Sequence, residues 1–191
     1  MEGAKVAVVY IPAEEDAQHT KAQVAKNRGE IVLISSDLSH SINCTDVAER
    51  IKSTFGTVDI LANNAASRNE KGTIFDISDA SVDPYIGVPS GLDYATTKAA
   101  IIAYTRSLSN YLIKKGIRVN AVAAGPVWTP SVASGVEKPR KHGHGLGNWT
   151  PMDRIGQLVE VATSYIFLAG NESQFMSGET LHPNGGIVVN G

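Results

Sequence analysis

The feature that most constrains this chain is an alternation of short runs rich in Val and Ile with longer, more polar segments of helical period. Lys5 to Tyr10 (KVAVVY), Glu30 to Ile34, Val58 to Asn63 and Arg118 to Ala123 are runs of the first kind. A strand apolar on both faces is one covered by helices on both sides, which is the condition of a parallel sheet. The intervening segments supply those helices: Glu14 to Asn27, about Thr45 to Phe55, Asp93 to Lys114 and Leu158 to Leu168, with Thr180 to Pro183 as a short last strand. Gly29 and Gly56 are placed to stop the first two helices, and Thr45 or Asn43 to cap the second. The expected class is α/β with a mostly parallel sheet. At 191 residues the chain is long enough for one such domain, 1–191, and too short for two ordinary ones.

One interval breaks the alternation. Thr73 to Ile77 (TIFDI) predicts another buried strand only about nine residues after Asn63. Neighbouring parallel strands need a crossover of roughly a dozen residues or more, usually a helix. The expectation is that a helix has been lost across Ser67 to Gly72. Beyond it, Pro126 to Pro151 is a loop rich in Gly, Pro, His and Lys, flanked by Trp128 and Trp149, which either line a pocket or pack the loop down.

Charge and cysteine usage exclude several classes of function. Acidic and basic residues nearly cancel, for a formal charge of −2, with no like-charge run to bind a polyanion, so nucleic acid is not an expected partner. No segment reaches the ~18 apolar residues of a membrane span, and the N-terminal apolar stretch is too short for a signal peptide, so a soluble protein is expected. Cys44 is the lone cysteine. It can form no internal disulfide and has no second thiol for a zinc site, which fits the cytoplasm. His142 and His144 stand near Lys138, Arg140 and Lys141, but no acidic partner stands beside them. A solvated loop is the expectation there, with no metal site.

The chemistry lies in Tyr94-Ala95-Thr96-Thr97-Lys98. A spacing of four puts phenol and ammonium on one helix face. A phenol of pKa about 10 is a poor acid-base catalyst at neutral pH, and a neighbouring cation lowers that value by stabilising the phenolate. Ser81 stands thirteen residues before the tyrosine, placed to hydrogen-bond a substrate oxygen. The same spacing also describes an ordinary solvated pair.

The surrounding motifs favour the first reading. Leu92-Asp93-Tyr94-Ala95-Thr96-Thr97-Lys98-Ala99-Ala100 is followed by Arg118-Val119-Asn120-Ala121-Val122-Ala123-Ala124-Gly125-Pro126-Val127-Trp128-Thr129. Asp59-Ile60-Leu61-Ala62-Asn63-Asn64-Ala65-Ala66, Asp37-Leu38 and Asn184-Gly185-Gly186 stand in matching order. Together they resemble the short-chain dehydrogenase/reductase family of classical type over nearly the whole chain. Tyr10 to Ala17, Gly91 to Tyr94 and Thr150 to Arg154 look most like a bacterial and fungal branch of aldehyde or alcohol reductases.

The resemblance implies a Rossmann-like, doubly wound parallel sheet and interconversion of a small-molecule carbonyl and alcohol with NADP or NAD, leaning to NADP. Tyr94 would be the acid-base catalyst and Ser81 would orient the substrate oxygen. Lys98 would lower the tyrosine pKa and hold the nicotinamide ribose. Tyr10, Asp37 and Leu38 would lie on the adenosine side, with the backbone of Asn64, Ala65 and Ala66. Pro126, Val127 and Thr129 would wall the nicotinamide. Plainer readings stay beside these: Asp37 caps a turn, Asn63 and Asn64 end a strand, and Pro126 breaks a loop.

The departures from the family pattern are equally specific. The chain opens at what resembles the family's second strand, without the strand and glycine-rich turn that receive the pyrophosphate. Gly143-His144-Gly145-Leu146-Gly147 follows no strand and does not replace that turn. The strand ending at Tyr10 has neither an acid for the ribose 2′-hydroxyl nor an Arg for a 2′-phosphate. The short connection at Ser67 to Gly72 replaces a helix that carries an assisting Asn and much of the family's dimer interface, although a homo-oligomer stays possible. The expected sheet is therefore incomplete. A catalytically inactive relative or an interaction module without cofactor binding is the alternative to an enzyme.

Overall fold

Parallel pairing between strands joined by a helix is what the sequence pattern demands, and a computed structural model shows it twice. It describes residues 3–11, 14–65, 92–129 and 150–189, with the side chains of 92–94 outside the description. The expected strand at Thr73 to Ile77 and most of the loop after Pro126 lie outside the described residues. The chain divides into two compact units, 1–66 and 67–191.

In the first unit β1 (Lys5–Tyr10) and β2 (Glu30–Ser35) pair in parallel, from Lys5 opposite Glu30 to Tyr10 opposite Ser35, with α1 (Glu14–Lys26) as the crossover. Glu14, Glu15 and Asp16 occupy the first turn of α1 and Lys26 the last, each charge set against the opposite end of the helix dipole. The helix ends one residue earlier than Gly29 suggests. Arg28 takes the left-handed conformation at φ 59°, its N–H donates to Ala25 O, and the Gly29 N–H donates to Val24 O. This pair of bonds is a Schellman closure in which an arginine stands where glycine is usual. After β2, α2 (Ser41–Phe55) begins four residues before Thr45. His40 is its N-cap and makes no side-chain capping bond, so neither Asn43 nor Thr45 has the expected role. Gly56 does end it, at φ 83° with its N–H on Lys52 O. Ala17, Ile34 and Val47, one from each of α1, β2 and α2, are the buried apolar residues of this unit among those described.

Val58 to Asn63 is not a strand. Val58, Ile60 and Leu61 are 51%, 59% and 76% exposed, and no described segment pairs with them. A strand apolar on both faces is stable only between partners, so without them its propensity is not realised.

The second unit holds α3 (Leu92–Leu112), a 3-10 turn at Ile113–Lys115, β3 (Ala121–Val122), α4 (Leu158–Ala169), a 3-10 turn at Asn171–Ser173, and β4 (Thr180–Leu181). β3 and β4 pair in parallel, Ala121 opposite Thr180 and Val122 opposite Leu181. The run Arg118 to Ala123 yields only this short strand because its first three residues serve polar contacts instead. The Arg118 guanidinium donates to Leu168 O at 2.8 Å and Ser173 O at 3.1 Å, with longer contacts to Met176 O and Gly170 O. It thereby satisfies carbonyls at the C-terminal end of α4, where a cation is also favoured by the helix dipole. The Val119 N–H donates to Ser177 Oγ, and Ser177 and Ser109 of α3 are hydroxyl to hydroxyl at 2.6 Å. Asn120 bonds Met176 O and the Glu179 N–H. Thr105, Ser109, Thr150 and Ser173 are the buried residues of this unit among those described, so its best-shielded positions are polar, and Ser109, Thr150 and Ser173 are hydrogen-bonded.

Candidate active site

The expected site residues fall in both units; Tyr10, Asp37 and Leu38 lie where β1 and β2 end, and Pro126 and Val127 where β3 ends. In the first unit Tyr10 closes β1, and the Ser36 N–H just past β2 donates to Tyr10 O at 3.0 Å. The carboxyl ends of the two strands are therefore side by side, the edge at which α/β sheets take ligands. The Tyr10 hydroxyl donates to Glu14 Oε2, a carboxylate that also accepts from Gln18 Nε2. That bond to Glu14 pushes the Tyr10 phenol above its ordinary pKa, and the bonds from Gln18 and Tyr10 hold Glu14 below its own.

Asp37 and Leu38 form the turn that follows. Asp37 Oδ1 accepts the Ser39 N–H at 2.9 Å, and that bond, with the Ser39 side chain, holds the carboxyl below its ordinary range. Asn43 Nδ2 donates to Asp37 O, and the Cys44 thiol contacts Leu38 O. The turn is thus pinned to the start of α2, and Asp37 presents a fixed negative charge there at neutral pH. Its plainer reading, a turn cap, describes what the carboxylate does in this structure. Asn64 and Ala65 lie in the exposed stretch after residue 57, and Ala66 is outside the described residues.

In the second unit Tyr94 and Lys98 lie one turn apart at the start of α3, so helix geometry puts them on one face. Lys98 is half-buried. The Tyr94 side chain and the whole of Ser81 lie outside the described residues.

Pro126 and Val127 line an open cleft of about 350 Å³ beyond the ends of β3 and β4, together with Met152, Arg154, Gly156 and Glu160. Half-buried Thr129 follows the wall. Two backbone runs continue past the strands. The Ala123 N–H donates to Leu181 O and the Gly125 N–H to Pro183 O, which carries Asn184 against Gly125. An added Cβ at Gly125 would lie 2.7 Å from Asn184 Cα, so this approach admits only glycine. Asn184 turns the chain by accepting the Gly186 N–H at Oδ1 and donating to Ile187 O from Nδ2. Val127 forms a parallel bridge with Gly156: the Gly156 N–H donates to Pro126 O and the Trp128 N–H to Gly156 O, both at 2.9 Å.

Arg154, Gly156, Glu160 and His182 of this lining were not singled out from sequence as site residues. Gln157 followed three residues later by Glu160 is a capping-box spacing, and the structure forms both of its reciprocal bonds. That spacing was the available signal. The Glu160 carboxyl is pulled down to about 2, first by the Arg154 guanidinium and then by the Gln157 N–H.

The cleft lies at the carboxyl ends of parallel strands, and Gly185 of its lining, at φ 74°, is packed so closely that an added Cβ would stand 2.9 Å from Thr150 Cβ. Among the described residues no group of three or more His, Cys, Asp or Glu is placed to hold a metal, and no helix is long and apolar enough to cross a membrane.

Comparison with known proteins places the chain among oxidoreductases. A family model described as Enoyl-(Acyl carrier protein) reductase matches residues 1–90 and 80–188. The chain is 36% identical to the glucose and ribitol dehydrogenase of Daucus carota, over all of this chain and 79% of that protein. It is 39% identical to the chloroplastic NADPH-dependent aldehyde reductase 1 of Arabidopsis thaliana, over 99% and 79%. The Daucus carota match runs over 231 positions against the 191 residues of this chain, so about forty positions have no counterpart here. The two overlapping family matches put the interruption near residues 80–90. Among solved structures, a Serratia marcescens short-chain dehydrogenase/reductase variant superposes with a TM-score of 0.83 at 22% identity, over 97% of this chain and 88% of that one. The L-sorbose reductase of Gluconobacter frateurii, solved with NADPH and L-sorbose, gives a TM-score of 0.83 at 21% identity, over 97% and 87%.

Proposed function

Because this chain belongs to the short-chain dehydrogenase/reductase family, we propose that Tyr94, Lys98 and Ser81 are the residues with which it interconverts a carbonyl and an alcohol, using NADP in preference to NAD. The observation that carries this reading is the second unit's own composition. One compact unit holds Tyr94 and Lys98 a turn apart on α3 and a cleft walled by Pro126 and Val127 at the ends of β3 and β4.

When bound, the nicotinamide supplies a hydride to the carbonyl carbon. The Tyr94 hydroxyl then donates its proton to the carbonyl oxygen, and takes it back when an alcohol is oxidised. The Lys98 ammonium stabilises the phenolate that remains and holds the ribose hydroxyls. Ser81 hydrogen-bonds the reacting oxygen and fixes its direction. Pro126, Val127 and Thr129 would hold the nicotinamide at the cleft and help exclude water from it. Tyr10, Asp37 and Leu38 would hold the adenosine, with Asp37 facing the adenine, and the backbone of Asn64, Ala65 and Ala66 would line that side. The lean to NADP rests on the NADPH named for the Arabidopsis thaliana relative.

The two units are parts of one domain in this reading, since the first family match, 1–90, runs across the boundary between them. The exposed lone thiol of Cys44 is compatible with the cytoplasm, and the exposed Tyr165 and Ile166 of α4 with self-association. A second reading, a relative that binds no cofactor, has one observation in its favour: Val58 to Leu61 lie exposed and unpaired where a sheet strand is expected.

The test of the catalytic assignment is Tyr94→Phe. It removes the proton donor and keeps the ring, so turnover of aldehyde or ketone substrates falls by about 10²–10⁴-fold while NADPH affinity is retained. Undiminished turnover in the variant would remove Tyr94 from the mechanism.

A further inference from the structure

The wall of the cleft is held from one side by a single fixed assembly. Gly156 contributes both bonds of the bridge to Pro126 and Trp128, so the position of residues 154–157 sets the position of the wall. That segment is fixed in turn by Arg154 and Glu160. Arg154 Nη2 meets Glu160 Oε1 at 2.6 Å and Nη1 meets Oε2 at 2.8 Å, a two-pronged fork. Glu160 Oε2 also accepts the Gln157 N–H at 2.8 Å, and Arg154 Nη1 reaches Ile155 O at 3.4 Å. The first turn of α4 and the peptides on either side of Gly156 are thereby locked together. The far end of the segment is anchored as well: Thr150 Oγ1 bonds Arg154 N and O, and the Met152 N–H donates to Gly185 O.

We propose that the Arg154–Glu160 fork is the positioning element of the nicotinamide wall, acting on Pro126 and Val127 through the Gly156 bridge. The inference rests on the cofactor reading above and deepens it. An exposed ion pair adds little to global stability, but a planar fork fixes orientation well. Its loss should therefore be local, loosening the bridge while the rest of the unit stays as it was.

The experiment compares Glu160→Gln, Arg154→Met and Arg154→Lys with the unaltered chain, by amide exchange at Gly156 and Trp128 and by NADPH fluorescence titration. In Glu160→Gln and Arg154→Met, exchange at those two amides should rise about tenfold while the Ala123 amide, bonded to Leu181 O, is unchanged, and NADPH should bind about tenfold more weakly. Arg154→Lys keeps the charge without the fork and should fail to restore either quantity. Unchanged exchange at Gly156 and Trp128, or full rescue by lysine, overturns the inference. So does unchanged affinity beside a parent that binds NADPH, which leaves the cofactor reading intact. If the unaltered chain binds neither NADPH nor NADH, the cofactor reading falls and the inference falls with it.

Discussion

A methyl group placed on Gly125 tests the close approach on which the cleft depends. The new Cβ would stand 2.7 Å from Asn184 Cα, 2.8 Å from its carbonyl oxygen and 2.9 Å from its carbonyl carbon. All three are backbone atoms, so no side-chain rotation relieves the contact. Restoring ordinary van der Waals separation requires the two runs to part by about 0.7 Å. The Gly125 N–H bond to Pro183 O, now 3.1 Å, would then be too long to count as a hydrogen bond. Overpacking of this kind costs about 1–3 kcal/mol and the lost bond about 1 kcal/mol, so Gly125→Ala should destabilise its unit by about 2–4 kcal/mol. Gly156→Ala is the internal control. Its added Cβ would first meet Pro126 O at 3.5 Å, an ordinary contact, and should cost under about 1 kcal/mol. Both tryptophans, Trp128 and Trp149, lie in the second unit, so their emission in a urea series reports on that unit alone. Equal midpoints for the two variants would refute the argument.

Three further outcomes follow from other parts of the structure. Arg28→Gly removes a side chain from the left-handed closure of α1 and should stabilise the first unit by about 0.5–1 kcal/mol in far-ultraviolet dichroism melts; destabilisation would contradict the strain assigned to φ 59°. Arg118→Met should cost about 2–3 kcal/mol by stranding carbonyls at the end of α4, with early loss of protection along that helix, and a neutral effect would show that those bonds are dispensable. The Glu160 carboxyl titrates at about 2 in the fold against 4.5 ordinarily, so the fork's contribution is complete above 4.5 and is lost as pH falls from there towards 2. Trp128 emission, in a Trp149→Phe background, should therefore hold steady to below pH 4; a transition between pH 4 and 5 would mean that the fork does not form.

What was legible in the sequence is what local pattern determines. Apolar runs bounded by helical segments located β1, β2 and all four helices, because each of those elements needs only neighbours that are present. Val58 to Asn63 carries the same pattern and is not a strand, since a ladder is a property of two segments and its partner is missing from the described residues. Helix ends shifted by one to four residues where the closing residue was an unexpected one, Arg28 for Gly29 and His40 for Asn43 or Thr45. At the site, Pro126 and Val127 were legible from the motif after β3. Glu160 was not, because its role depends on a fork to Arg154 that sequence spacing suggests only as a helix cap.

The measurement that bears most directly on the account is the affinity of the unaltered chain for NADPH and NADH, followed by quenching of Trp128 and by dinucleotide fluorescence. Micromolar binding, tighter for NADPH than for NADH, is the result the proposed function predicts. Binding of neither dinucleotide at millimolar concentration would contradict it, and would leave a family member that holds Tyr94 and Lys98 on one helix without a hydride for them to act beside.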